Sequence, residues 1–355
     1  MQHELLFESS NHVGFLTLNR PGALNALSDG MVHAMHAKLR EWAADPAILA
    51  VVVKGAGGKA FCAGGDVRAI YRSFTTSGTL HHEFFAAEYE LDHFIHRYSK
   101  PYVALMDGIV MGGGMGISQG AGVRVVTDRT RMAMPEVGIG LFPDVGASYF
   151  LSRLAGGLGN YLALTGITIG AADALYAGLA DTYLPHEALE SFETALRNMR
   201  WSQTPSADLD IALCAHRAPS LPAPDLAPVR PAIDAHFSGA NVRGIIASLQ
   251  AESRPEYAEW AQRTVAIMAG RSPLMMAVTA RQLQLGRSMN LGDCFRMEVA
   301  MVRHSFEQGD FMEGVRALLI DKDNAPRWNP QRIEDVSQEM IDAFFPEHPH
   351  GPMTA

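Results

Sequence analysis

The sequence predicts an α/β protein with a mainly helical C-terminal region. Two patterns carry that reading. Through residues 1–203, short apolar runs are followed by glycine-rich turns and then by helical patterns, the rhythm of a sheet whose functional loops sit at strand ends. Beyond residue 231 the apolar residues fall at helical spacing instead. Between the two, 204–231 holds six prolines, including the run Ala218-Pro-Ser-Leu-Pro-Ala-Pro224, and reads as a linker or surface excursion. The expected division is a core over 1–203, this proline-rich segment, and a helical region over 232–355.

Each element has its own warrant. Residues 3–8 and 13–18 read as strands around a Ser9-Ser-Asn-His12 turn. A helix follows, capped near Ser28, with Met31, Met35, Leu39 and Trp42 on one face. Leu49–Lys54 is a continuous apolar run that suits a strand buried on both faces, and the turn Cys62-Ala-Gly-Gly-Asp66 comes soon after it. A helical stretch over 82–98 leads to a strand over 102–106, and that strand to a second turn, Met111-Gly-Gly-Gly-Met115. Short strands over 123–127 and 131–134 lead into the loop Met134-Pro-Glu-Val-Gly-Ile-Gly-Leu-Phe-Pro-Asp144. In the C-terminal region Val242, Ile245, Ile246 and Leu249 repeat at helical spacing, as do the apolar residues of 257–269 and 275–285. No repeat of fixed period and no low-complexity tract is present.

Composition excludes several classes. A chain of 355 residues, 48% hydrophobic and 19% charged, is neither a typical membrane protein nor a disordered one. The stretch 103–122 is apolar enough to resemble a membrane span, but Asp107 and seven glycines make it a buried strand and turn. A formal charge of −9 and a pI near 5.8 argue against whole-chain affinity for nucleic acid and suit a cytosolic enzyme. The chain opens on strand-like sequence with no secretory-signal pattern. Cys62, Cys214 and Cys294 are far apart and form no CxxC, so neither a disulfide framework nor a zinc site is expected. His81, His82, His93 and His96 form no HExxH, and no metal is expected. No Gly-x-Gly-x-x-Gly marks a dinucleotide site in the glycine-rich region. Gly116-Ile-Ser-Gln-Gly120 fits the nucleophile-elbow pattern, but Ser118 falls inside an expected helix rather than at a turn after a strand, so the match reads as coincidence.

Chemistry concentrates in the two glycine turns and the carboxylate loop. Glycine lets bare backbone N–H groups approach a ligand, and fixed N–H donors stabilise a developing oxyanion. Glu136 and Asp144 lie among apolar neighbours, which disfavours their charged forms and suits them to acid/base or nucleophilic work.

The blocks Leu18-Asn-Arg-Pro-Gly-Ala-Leu-Asn-Ala-Leu27, Lys59-Ala-Phe-Cys-Ala-Gly-Gly-Asp66 and Lys100-Pro-Tyr-Val-Ala104 with Gly108-Ile-Val-Met-Gly-Gly-Gly114 resemble, in order and spacing, the signatures of the crotonase (enoyl-CoA hydratase/isomerase) superfamily over roughly residues 10–185. The block from Met134 to Leu154, and Gly314-Val-Arg-Ala-Leu-Leu-Ile-Asp-Lys-Asp323, resemble its 3-hydroxyisobutyryl-CoA hydrolase branch. The resemblance implies a crotonase-type ββα spiral core, with the C-terminal region covering the active site. It implies an acyl-CoA substrate, with coenzyme A part of that substrate and no separate cofactor, and hydrolysis of 3-hydroxyisobutyryl-CoA in valine catabolism. Gly65 and Gly113 would form the oxyanion hole. Glu136 would attack the thioester or activate a water, while Asp144 and Glu88 would orient the 3-hydroxyl, with a proton passed by Asp144 to the leaving thiolate as its alternative role. Arg68, two residues after Asp66, offers a charge-assisted donor to the CoA phosphates.

Hydratases of the superfamily carry a glutamate two residues after the Gly-Gly-Gly run, where this chain has Gly116. The first rival is an enoyl-CoA hydratase or isomerase, and that departure weighs against the hydratase. The second rival, a non-catalytic crotonase-like binding protein, sits poorly with both glycine turns and both carboxylates being present. No membrane or nucleic-acid partner is expected. Members of the superfamily are often trimers or paired trimers, so the resemblance admits a homo-oligomer.

Overall fold

Asn11 and His12, both at positive φ (47° and 67°), form a two-residue turn between β1 (Leu5–Ser10) and β2 (Val13–Leu18) in the computed structural model. Positive φ at both central residues is the type I′ geometry that matches the right-handed twist of flanking strands. The hairpin therefore extends through Ser10, past the end expected for the first strand, with Ser10 opposite Val13. The structure describes residues 3–218, 220–239 and 241–345.

Two units are interleaved along the chain. Met1–Asp66, Leu91–Met132 and Ile169–Pro224 make up the first, and Val67–Glu90, Ala133–Thr168 and Asp225–Ala355 the second. Residues 1–203, expected as one core, thus contribute to both.

The first unit is built on a six-stranded sheet ordered β1-β2-β3-β5-β7-β9, adding β3 (Ala50–Gly55), β5 (Tyr102–Met106), β7 (Val123–Val126) and β9 (Thr182–Tyr183). Only the β1–β2 pair is antiparallel. All five residues of β5 are buried, as expected for a parallel strand covered on both faces. A second sheet, ordered β4-β6-β8, consists of the three-residue strands Ala60–Cys62, Ile109–Met111 and Arg131–Ala133. The glycine turns follow β4 and β6, not the longer β3 and β5 directly. The helix Asp29–Ala44 starts where expected, with Ser28 Oγ accepting from the Met31 amide at 3.2 Å and Met31, Met35, Leu39 and Trp42 buried.

The proline-rich segment is not an extended linker. It carries the helix Pro205–His216, whose proline occupies the first turn where no N–H is needed, and its last six residues, 226–231, open the helix Leu226–His236, with non-helical backbone over 217–218 and 220–225. Leu209, Ala212 and Leu213 pack into the core of the first unit with Val13, Val52 and Val103. Pro219, within the expected proline run, lies outside the described residues.

In the second unit the helices Val242–Gln250, Pro255–Ala269, Pro273–Gly286 and Leu291–Gln308 bear out the helical reading of the C-terminal region. Side-chain caps from Asn241, Ser272 and Asn290 start three of them. A Cβ placed on Gly286 would lie 2.1 Å from the Ser148 carbonyl oxygen, so a glycine is what lets the helix Pro273–Gly286 seat against the backbone just past Asp144. Among the described residues no helix is long and apolar enough to cross a membrane. The apolar stretch 103–122 is divided among β5, β6 and the helix Gly113–Gln119.

Candidate active site

The first unit brings the two glycine turns together. Its strands β4 and β6 pair in parallel, so the turns leave the sheet side by side. Gly64 sits at φ +107°, and a Cβ there would lie 3.6 Å from the Gly113 amide nitrogen. A Cβ on Gly114 would lie 2.3 Å from the Cys62 carbonyl oxygen, closer than any real contact, so the approach requires glycine.

Backbone pairing leaves the Gly65 and Gly113 donors outside the bridge and the helix that frame them. The bridge between Leu27 and Gly65 uses the Leu27 amide on Gly64 O and the Asp66 amide on Leu27 O, both at 2.8 Å, leaving the Gly65 N–H outside it. Gly113 opens the helix Gly113–Gln119, where no helical carbonyl can receive its N–H.

Two residues of the first signature block hold this arrangement. Arg20 donates to Asp66 Oδ2 at 2.9 Å and to the Ala26 carbonyl at 2.7 Å. Buried Asn25 donates to the Ala56 and Ala60 carbonyls at 2.9 and 2.8 Å. Ser118 is buried within its helix and its hydroxyl donates to the Gly114 carbonyl at 2.7 Å, so it forms no nucleophile elbow.

The second unit gathers the carboxylates. Glu88 and Tyr89 lie on the helix Leu80–His96, 2% and 0% exposed, and Glu136 and Asp144 are 5% and 4% exposed. Glu136 opens a tight 3-10 turn, Glu136–Gly138, held by Ile139 and Leu141 amides on its carbonyl at 2.9 and 3.0 Å. The Ser272 amide bonds the Val137 carbonyl at 3.0 Å and ties this turn to the start of the helix Pro273–Gly286. Asp144 accepts from the Tyr89 hydroxyl at 2.6 Å. The turn after it, Val145 at φ 54° and Gly146 at φ 87°, is clamped by Glu298, whose carboxylate accepts from the Gly146 and Ser148 amides at 2.7 and 2.9 Å. Gln282 adds bonds to the Pro143 carbonyl and Ser148 hydroxyl at 2.6 and 2.8 Å.

Burial dominates the electrostatics. It pushes Glu136 well above the usual carboxylate range, with the Asp144 charge adding to the effect. Glu88 is raised well above that range by burial and then by Asp144. Asp144 rises only to about 6, because the Tyr89 bond and a backbone N–H stabilise its anion against burial. Burial takes Glu298 to about 8 despite its bonds from Ser148 and Gly146. Among the described residues, Glu88 Oε1 and Glu136 Oε2 are buried without a hydrogen-bond partner. Unsatisfied buried acceptors are costly and are retained where a ligand can meet them.

These raised values make a stability prediction. The folded state binds protons on Asp144 and Glu298 that the unfolded chain has released, so their contribution is complete near pH 4 and is lost as pH rises toward about 8. Denaturant unfolding is expected to show lower stability at pH 8 than at pH 5, with a smaller decline in Glu298→Gln. Equal declines in both proteins would place the titrating group elsewhere.

The structure thus groups Glu88, Glu136 and Asp144 within the second unit, and Gly65 and Gly113 within the first. Arg68 is exposed on the helix Val67–Thr75 with no hydrogen bond or ion pair among the described residues. Tyr89 and Glu298 escape a motif search. Glu298 nevertheless carried a signal: it falls on the buried stripe Cys294, Met301, Val302, Ser305, where a charge is out of place.

A family model described as enoyl-CoA hydratase/isomerase matches residues 13–345. The chain is 41% identical to the mitochondrial 3-hydroxyisobutyryl-CoA hydrolase of Xenopus tropicalis over 347 residues, 96% of this chain and 88% of the relative. It is 38% identical to 3-hydroxyisobutyryl-CoA hydrolase 1 of Arabidopsis thaliana over 348 residues, 97% of this chain and 92% of the relative. Among solved structures, a carnitinyl-CoA dehydratase from Mycobacterium thermoresistibile superposes with a TM-score of 0.89 at 41% identity, covering 98% of this chain and 97% of its own. An enoyl-CoA hydratase from Rhodobacter sphaeroides 2.4.1 gives 0.86 at 34% identity, with 97% of each chain covered. The cytosolic location expected from charge and pI is overturned by the vertebrate relatives, which are named as mitochondrial. Bulk charge governs solubility and non-specific binding and carries no cellular address.

Proposed function

Because the chain belongs to the enoyl-CoA hydratase/isomerase family, we propose that it hydrolyses an acyl-CoA thioester, 3-hydroxyisobutyryl-CoA, to 3-hydroxyisobutyrate and coenzyme A, a step of valine catabolism. The observation that carries the reading is the buried Glu136, one oxygen unpartnered, in the same cluster as Asp144 and Glu88. It is supported by the names of relatives that match 96% and 97% of this chain.

In this reading the Gly65 and Gly113 N–H groups receive the thioester oxygen as charge develops on it. Such a donor is typically worth about 10²–10³ in rate. Glu136 then acts in one of two ways. As a nucleophile its carboxylate adds to the carbonyl carbon, the C–S bond breaks, and water opens the resulting mixed anhydride. As a general base it takes a proton from the attacking water. Asp144, the least raised of the three acids, is the one best suited to accept from the substrate's 3-hydroxyl at neutral pH. Glu88, held toward its protonated form, suits a donor to the same hydroxyl's oxygen. Arg68 supplies an exposed cation for the CoA phosphates.

The similar dehydratase and hydratase structures favour a second reading, reversible water addition to an enoyl-CoA. Gly116 opposes it: at that place no side chain is available to hold a water, and its neighbours Met115, Ile117 and Ser118 supply no acid. Crotonyl-CoA hydration, followed by loss of enoyl absorbance, is expected to be undetectable or far slower than thiol release from 3-hydroxyisobutyryl-CoA in the same preparation. Hydration that outruns thiol release sinks the hydrolase reading and reassigns Glu136 and Asp144 as a relocated hydratase pair.

A further inference from the structure

We infer that Tyr89 and Glu298 are positioning residues for Asp144, Tyr89 holding its carboxylate directly and Glu298 holding the turn that carries it. The inference rests on the hydrolase reading for the use made of Asp144, and on geometry alone for how it is held.

Asp144 opens a backbone segment that is unfavourable by itself. Val145 at φ 54° is a β-branched residue in the left-handed region, a conformation that persists only where its surroundings impose it. Gly146 at φ 87° continues the bend before the short helix Ala147–Phe150. Two adjacent carboxylate contacts supply the imposition. Glu298, from the fully buried face of Leu291–Gln308, spans the bend by accepting from the Gly146 and Ser148 amides at 2.7 and 2.9 Å. A side chain reaching two alternate amides of one turn fixes its φ and ψ as a helix cap does. A carboxyl group is suited to this because both its oxygens keep acceptor lone pairs whether or not one carries a proton, whereas a glutamine would turn an NH₂ toward one of the amides.

Tyr89 acts on the carboxylate itself. Its ring is fully buried and tilted against Phe295, with centroids 6.1 Å apart, so packing directs the hydroxyl toward Asp144. Burial and the Asp144 charge keep the phenol protonated, and it therefore donates. The titratable groups facing Asp144 are Glu88 and Tyr89 from the helix Leu80–His96, Glu136 from its own loop, and Glu298 from Leu291–Gln308. Of these only Tyr89 favours the Asp144 anion. Together with a backbone N–H, it holds Asp144 below the acids around it, which burial drives toward neutrality.

The test uses the full-length protein with ¹³C-labelled aspartate and two variants. The Asp144 midpoint, read from its carboxyl carbon without substrate, is expected to move up by about one pH unit in Tyr89→Phe. An unmoved midpoint overturns the assignment of Tyr89. A merely structural role for the ring would leave it unmoved, because phenylalanine preserves the packing. For Glu298→Gln, kcat on 3-hydroxyisobutyryl-CoA is expected to fall at least tenfold, with KM within threefold and isobutyryl-CoA much less affected. Equal losses on the two thioesters overturn the assignment of Glu298, since general loosening spares neither substrate. Should Glu298→Gln fold poorly by circular dichroism, the same substrate comparison on Glu298→Asp decides. That variant keeps the carboxyl group but is too short to span both amides, and an unchanged preference for the hydroxylated thioester would show that the clamp does not set Asp144. A wild-type protein that releases no thiol would instead sink the hydrolase reading, leaving the substrate-free titration to judge Tyr89.

Discussion

Glu136→Gln is expected to lower kcat for thiol release from 3-hydroxyisobutyryl-CoA by about 10²–10⁴-fold, the range for a positioned acid/base group, with binding of the thioester changed by no more than a few-fold. The amide keeps the size and most of the polarity of the side chain, so the 3-10 turn it opens should survive; that turn is held by its carbonyl and not by its carboxylate. Only the ability to attack or to take a proton is lost. Burial and the Asp144 charge raise Glu136 well above an ordinary glutamate, so the active, ionised form is depleted on the acid side. The wild-type rate is therefore expected to climb with pH through a midpoint above the usual carboxylate range and to fall as pH drops through it. Stopped-assay measurement of free thiol across pH reads both effects. A variant that keeps more than about a tenth of wild-type kcat removes Glu136 from the nucleophile and base roles alike.

How much of this was legible before the structure depended on how local each signal was. The Ser28 cap, the buried β5 run and the stripe Met31, Met35, Leu39, Trp42 are encoded within a few residues of one another, and each lies where its pattern places it. The glycine turns were equally visible, but not the strands they leave from. At three residues, β4 and β6 are too short to display a period, and they exist because each pairs with a distant partner. Prolines misled in the opposite direction. Pro205 starts a helix and Pro231 sits inside one, yet a count of prolines weighs both as breakers. Glu136, Asp144 and Glu88 were identifiable by resemblance to a family pattern; the structure buries all three and assigns them to one unit. The contacts that shape Asp144 were not visible, because Glu298 reaches back across 152 residues to the Gly146 amide. A single acid on an apolar helical stripe was the one local trace of that contact.

Asp144→Asn is expected to damage hydrolysis of 3-hydroxyisobutyryl-CoA far more than that of isobutyryl-CoA. Sites built to hydrogen-bond a substrate hydroxyl discriminate against analogues lacking it by up to about 10⁴–10⁵, whereas apolar packing discriminates a methylene by only about 1–3 kcal/mol. Asp144 is suited to the first mechanism. Its pKa of about 6 leaves it mostly ionised at neutral pH, and an anion buried to 4% exposure binds a hydroxyl donor with little competition from solvent. The asparagine variant keeps one acceptor oxygen, but Tyr89 at 2.6 Å already claims an oxygen of this side chain. With that oxygen shared with Tyr89, the other position presents an NH₂, a donor where the substrate hydroxyl also donates. The neutral hydroxyl would then rotate or be expelled, misplacing the carbonyl carbon relative to Glu136. An analogue without the hydroxyl never makes the contact and has nothing to lose. Comparing kcat/KM on the two thioesters, wild type against variant, isolates that one contact. A ratio unchanged by the substitution would remove Asp144 from hydroxyl recognition and leave it as a structural residue or as the proton donor to the departing thiolate.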